Sequence, residues 1–239
     1  MARPDDEKEK KKIISTGHAE IDRRLGGGLP IGSLTLVEGE SDAGKSVLCQ
    51  QMIWGSLNDG YSVILFTTEN TVKSLVSQMD SLGLGILDYL LLGRLKVYFM
   101  KQSNIRTQVN ETFATILETI GKNERYQLII VDSLTPMLPT ASDVEVLHYI
   151  ERCKHFCDNG RTVVNVTHSY ALESGVLMRV RSASDAHLRL MIEKVGDKLV
   201  KTLEVAKVRG AAQSTGNVVT FDVEPEIGMK IMPLSKAKA

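Results

Sequence analysis

Residues 34–54 read Leu34-Thr-Leu-Val-Glu-Gly39-Glu-Ser-Asp-Ala-Gly44-Lys-Ser46-Val-Leu-Cys-Gln-Gln-Met-Ile-Trp54. An apolar, β-rich run passes into G-x-x-x-x-G-K-S over 39–46, and that passes into a run with helical spacing. In this context the loop is a phosphate cradle: its backbone N–H groups point at anionic oxygens, and the following helix adds the positive end of its dipole. Gly39 and Gly44 let the chain curl. Ser41, Asp42, Ala43, Ser46 and Val47 complete the loop, and Lys45 reaches the β- and γ-phosphates of a nucleotide. The Ser46 hydroxyl suits Mg²⁺, a hard cation that takes oxygen ligands and keeps several waters.

A second carboxylate for that ion is expected at the tip of a neighbouring strand. Asp132 ends the apolar run Leu128-Ile-Ile-Val-Asp132 and meets this requirement. The next residue is Ser133, where many ATPases carry glutamate, so a base has to come from elsewhere. Glu69 ends the segment after Val63–Phe66 and is the candidate base or phosphate sensor; the alternative is a solvated strand-end carboxylate. His168 ends the run Thr162–His168 and is a candidate γ-phosphate sensor, against a loop histidine with a local hydrogen bond.

Working outward, Leu34–Val37, Val63–Phe66, Lys96–Phe99, Leu128–Val131 and Thr162–Val166 are short runs that are apolar on both faces. Parallel strands covered by helices on two sides need this pattern. Between them lie helical stripes such as Val72/Leu75/Val76/Met79 and Ile105/Val109/Phe113/Ile116/Ile120. Asn70 or Thr71 is expected to cap the first and Asn104 the second, with Gly121 as a left-handed C-terminal cap. After Ser169, the runs 188–192, 199–208, 218–223 and 229–232 alternate apolar and polar residues and predict antiparallel strands that extend the sheet. The fold class is therefore α/β, a mostly parallel sheet flanked by helices with a C-terminal antiparallel extension.

The chain has 239 residues, enough for one domain with a sizeable core, and residues 13–233 are assigned to a single ATP-binding domain. Residues 1–12, MARPDDEKEKKK, carry charge without an apolar period and are expected to form a flexible tail, as are residues 234–239. Twenty-nine basic residues balance twenty-nine acidic ones, so no global field attracts nucleic acid. Three cysteines and the lack of an apolar leader fit a reducing, cytoplasmic setting. The longest apolar stretch, 82–93, is far short of the roughly 20 residues that span a bilayer, so no membrane insertion is expected.

Weaker features have ordinary explanations. Cys153 and Cys157, with His148 and His155 nearby, have the wrong spacing for a metal site and share one helical apolar stripe; Cys49 is expected to pack likewise. The segment 175–181, Gly-Val-Leu-Met-Arg-Val-Arg, reads as a nucleic-acid loop, a protein contact or a short buried helix. The run 82–92 reads as core, with partner docking as the alternative.

The segments ISTGHAEIDRRLGGGLPIGSLTLVEGESDAGKS, FTTENTVKSLVSQMDSLGL, IIVDSLT and KVRGAAQSTGNVVTFDVEPEIGM resemble the KaiC-type branch of the RecA superfamily, from about Ile14 to Met232. Within that branch the chain most resembles the ATP-binding accessory proteins of the archaeal motility motor, the archaellum. The resemblance implies a RecA-like fold and ATP held with Mg²⁺ through Gly44, Lys45, Ser46 and Asp132. It also implies a homo-oligomer, with a hexamer as the candidate ring. The implied partner is the motor's hexameric ATPase, beneath a membrane platform and inside a cytoplasmic ring, which places the chain peripherally at the membrane. Related domains carry paired glutamates where this chain has Glu69-Asn70, which implies slow or absent hydrolysis. Lys207-Val-Arg209-Gly matches the segment that supplies a trans-acting cation to the neighbouring subunit's nucleotide. The alternatives are a DNA-binding recombinase accessory protein and a free-standing signalling ATPase or kinase.

Overall fold

The computed structural model describes residues 13–101, 105, 108–195, 198–211 and 218–232. The expected tails at 1–12 and 234–239 and the candidate cap Asn104 lie outside the described residues. A two-stranded ribbon, β1 (Ile13–Ile14) and β2 (Leu29–Pro30), brackets α1 (Ala19–Arg24). The main sheet contains β3 (Leu34–Gly39), β4 (Val63–Thr67), β5 (Leu95–Phe99), β6 (Leu128–Asp132), β7 (Thr162–His168), β8 (Ala186–Val195), β9 (Lys198–Val208), β10 (Val218–Glu224) and β11 (Gly228–Met232). Its order is β11-β10-β9-β8-β3-β7-β6-β4-β5. Strands from β8 to β5 in that order run parallel, and β8 to β11 form an antiparallel meander. This is the expected RecA-like α/β architecture, with β8 as the hinge between its two parts: parallel to β3 on one edge and antiparallel to β9 on the other.

The apolar runs sort onto two faces because successive strand side chains alternate. Val37, Leu65, Ile130 and Val164 pack on one side beneath α2 (Lys45–Asn58) and α3 (Val72–Ser81). Leu34, Leu36, Ile64, Ile129 and Val163 pack on the other beneath α5 (Val109–Lys122), α6 (Asp143–Asp158) and α7 (Ser174–Ala183). Cys153 and Cys157 lie in this second core, as their spacing predicted, and burial pushes both thiols up to about 12.

Helix ends follow local chemistry. Thr71 caps α3 by accepting from the Ser74 amide, and Ser142 with Glu145 forms a complete capping box at the start of α6. Gly121 departs from expectation. It lies inside α5, which ends at Lys122 with Asn123 as its C-cap, and the Asn123 side chain closes the helix by donating to the Thr119 carbonyl at 2.7 Å. The apolar run 82–92 divides: Leu82, Leu84 and Ile86 enter the core, while Leu87, Leu91 and Leu92, in and just after α4 (Leu87–Leu91), are exposed. The 175–181 segment is part of α7, with Val176, Leu177 and Val180 buried. No described helix is long and apolar enough to cross a membrane.

Helix α2 buries ten of its fourteen residues, which lets the chain before α1 cross directly over it. A Cβ at Gly55 would sit 2.3 Å from the Gly17 amide nitrogen and 2.5 Å from the Thr16 carbonyl carbon. Gly55→Ala is therefore expected to lower the unfolding free energy by about 2–3 kcal/mol in denaturant titrations. Gly121→Ala meets nothing within 4 Å and is expected to raise it by about 0.5–1 kcal/mol through helix propensity.

Candidate nucleotide-binding site

The carboxyl ends of β3, β6 and β7 and the start of α2 enclose a cavity of about 330 Å³. Of the residues selected from sequence, Ser41, Asp42, Gly44, Lys45, Ser46, Val47, Glu69, Asp132 and His168 line it. Gly39 and Ala43 do not. Ala43 is fully buried. Gly39 is required for packing: its Cβ would lie 2.2 Å from the Leu190 carbonyl oxygen of β8. Left-handed backbone occurs instead at Gly44 (φ 95°) and Asp42 (φ 60°), a conformation that aspartate tolerates better than most residues.

Lys45 is buried, and its ammonium donates to the Glu40 carbonyl at 2.5 Å, which arches the side chain over the loop. Burial lowers its pKa, opposed by the charges of Asp132 and Glu69. Burial likewise pushes the Asp132 carboxyl up to about 6, against the Ser46 hydroxyl that bonds to it; Glu69 raises it further and Lys45 lowers it. The Ser46 hydroxyl and one carboxylate thus share a partly dehydrated corner. Among the described residues no group of three or more His, Cys, Asp or Glu side chains is placed to hold a metal. A lone hydroxyl–carboxylate pair beside a phosphate cradle fits Mg²⁺, which completes its shell with water and phosphate oxygens, and does not fit an all-protein cage.

The neighbouring strand tip is shaped by the two threonines of the TTEN segment. The Thr67 hydroxyl accepts from the Glu69 and Asn70 amides at 3.4 and 3.2 Å, and the Thr68 amide donates to the Asp132 carbonyl at 3.0 Å. This turn aims Glu69 into the cavity. Asn70 turns away, its Oδ1 accepting from the Ser74 hydroxyl at 3.3 Å. His168 lines the cavity at the tip of β7, its amide held by Thr135 Oγ1 at 3.0 Å; burial, then Lys45, lowers its pKa.

Lys207 and Arg209 are not part of this cavity. Lys207 is level with His187, which is level with Leu36, so it sits about 10 Å back along the sheet from Gly39 at strand rise. There the Lys207 ammonium donates to the Arg181 carbonyl at 2.8 Å, and the Arg209 guanidinium lies 3.9 Å from Asp185 Oδ1.

Ser133 also lines the cavity, and Gln78, Lys201 and Val223 do so without having been singled out from sequence. Lys201 and Val223 come from the antiparallel strands, and the Phe221 ring lies 3.0 Å from where a Gly44 Cβ would be. Their placement depends on the registers Ile192↔Lys201 and Lys201↔Phe221, and no motif announces these pairings. Glu38 did carry a signal, a carboxylate inside an otherwise apolar strand. It is fully buried and bonded to Arg181 at 2.9 Å, with His187 and Arg189 each at 3.4 Å. Burial alone would raise its pKa; His187 and Arg181 outweigh this and hold it at about 2.

The site is that of a P-loop nucleotide-binding protein on a RecA-like core. A family model described as "ATPase: KaiC" matches residues 14–236. The archaeal flagellar ATP-binding protein FlaH of Sulfolobus acidocaldarius is 28% identical over 95% of this chain and 100% of its own length. FlaH of Methanocaldococcus jannaschii is 30% identical over 91% of this chain and 94% of its own. The crystal structure of that flagellar accessory protein superposes with a TM-score of 0.82, covering 92% of this chain and 98% of the other at 28% identity. The chain belongs to the KaiC family of ATPases and, within it, to the FlaH archaeal flagellar ATP-binding proteins.

Glu38→Gln leaves Arg181 and Arg189 without a buried counter-charge. Both arginines are partly exposed, at 38% and 42%, so the expected loss is roughly 2–3 kcal/mol of stability by chemical denaturation. A carboxyl depressed in the folded state stabilises fully above its ordinary value of 4.5 and loses that contribution as pH falls toward about 2. The native-minus-variant difference is therefore expected to shrink progressively below pH 4.5.

Proposed function

We propose that this chain is a nucleotide-gated regulatory subunit of the archaellum motor. It holds ATP with Mg²⁺ through Gly44, Lys45, Ser46 and Asp132, and engages the motor's hexameric ATPase in its ATP-bound form with slow or no turnover. The observation that carries this reading is the carboxylate arrangement. Asp132 is followed by Ser133, and of the Glu69-Asn70 pair only Glu69 lines the cavity while Asn70 bonds to α3. A complete cradle with so few groups able to activate water favours binding over hydrolysis.

In this reading Ser46 and Asp132 would hold Mg²⁺, which would supply neutralisation of phosphate charge. Lys45 and the loop amides orient the phosphates, Glu69 holds whatever water is present, and His168 contacts the terminal phosphate. Lys207 and Arg209, remote from the cavity of their own chain, supply cations to the site of a neighbouring copy, so assembly depends on ATP. The oligomer, a hexamer being the candidate, sits beneath the membrane platform and inside a cytoplasmic ring. The recombinase reading loses ground because Arg181, one of its two basic residues in the 175–181 segment, is bonded to Glu38.

Nucleotide binding, hydrolysis, oligomer mass and association with the purified motor ATPase are measured together. The native chain is expected to bind ATP and turn it over well below about 1 per second. Lys45→Ala is expected to weaken ATP binding by about 100-fold. Glu69→Ala is expected to retain binding while losing about 100-fold of any residual turnover. Fast, Glu69-dependent turnover with no nucleotide effect on partner association would overturn the reading.

A further inference from the structure

His168 stands at the end of β7, between the strands that carry the phosphate loop and Asp132. Its imidazole lines the cavity with Lys45, Glu69 and Asp132. Its Nδ1 lies 2.5 Å from the hydroxyl of Tyr170, and the two rings are tilted at 60° with centroids 5.1 Å apart. A tight turn places the tyrosine, closed by the Ala171 amide donating to the His168 carbonyl at 3.0 Å. Tyr170 is 71% exposed, so packing does not explain why its hydroxyl is directed back at the imidazole.

A neutral imidazole has one N–H donor and one bare nitrogen acceptor. Burial, and after it the Lys45 charge, lowers the pKa of the ring and so favours its neutral form, opposed by the Glu69 and Asp42 charges. An imidazole nitrogen is a far stronger base than a phenol oxygen, so the pair adopts O–H···N polarity, with Tyr170 donating and Nδ1 accepting. The ring proton is then on Nε2. That N–H has no acceptor among the described residues, and phosphate oxygens, which only accept, are its match.

We propose that Tyr170 is a positioning residue that fixes His168 in the Nε2–H tautomer, so that the ring donates to the terminal phosphate and distinguishes a nucleoside triphosphate from a diphosphate. The phosphate half of this proposal rests on the cavity holding ATP; the tautomer half does not.

Tyr170→Phe keeps the ring and removes only the hydroxyl, at a site too exposed for folding to depend on it. In the full chain, its ATP-over-ADP affinity ratio is expected to fall about threefold to tenfold, with ADP affinity and thermal midpoint unchanged. In a His168→Gln background the amide donor needs no tautomer, so adding Tyr170→Phe is expected to change nothing further. Long-range ¹H–¹⁵N correlation on histidine-labelled, nucleotide-free protein reads the tautomer directly, with His168→Gln identifying the signal. Native protein is expected to show Nε2–H, and Tyr170→Phe a mixture. An Nδ1–H ring in the native chain, or an ATP-over-ADP preference that Tyr170→Phe leaves unchanged, overturns the proposal. A native chain that binds neither nucleotide defeats the ATP reading instead, and the tautomer spectrum still tests the role of Tyr170.

Discussion

The buried Glu38 carboxylate is the point on which this architecture turns. A charge removed from water is tolerable only if cations and hydrogen bonds replace the lost hydration. Here the replacement comes from α7 through Arg181 and from β8 through His187 and Arg189. One residue before Gly39, the anion therefore ties the parallel core, the last core helix and the first strand of the antiparallel extension to the exit of β3. Arg189 continues the connection to Glu204 on β9 at 3.2 Å. The phosphate loop leaves a strand whose position is set from both faces and both edges.

Close approach reinforces the charge. Gly39 abuts the β8 backbone, Gly44 abuts Phe221 of β10, and Gly55 abuts the chain that precedes α1. The glycines of the motif thus have different tasks: Gly44 supplies a left-handed turn, and Gly39 supplies absence of volume. The antiparallel strands become part of the nucleotide cavity, contributing Lys201 and Val223 to its wall.

The strand tips divide their work in the same way. The threonine hydroxyls at 67 and 68 bind backbone amides, and that frees Glu69 to face the cavity while committing Asn70 to the start of α3. At β7, Thr135 holds the His168 amide and the Tyr170 hydroxyl meets its ring. Both of these cavity-lining residues, Glu69 and His168, are held by neutral hydrogen bonds.

By itself the sequence determined the sheet-and-helix alternation, the phosphate loop, Asp132 as its partner and the strand-tip positions of Glu69 and His168. Each of these is local: a period, a motif or a residue ending an apolar run. It also marked Cys153 and Cys157 as core, because helical spacing is local too. Tertiary structure alone decided the rest. Lys201 and Val223 reach the cavity through antiparallel registers, Lys207 and Arg209 fall back along the sheet from it, and Gly121 stays inside its helix because Asn123 supplies the cap instead. The role of Gly39 and the partners of Glu38 depend on chain segments about 150 residues away. Contacts of that range leave no period or spacing in the sequence, so only the folded chain reveals them.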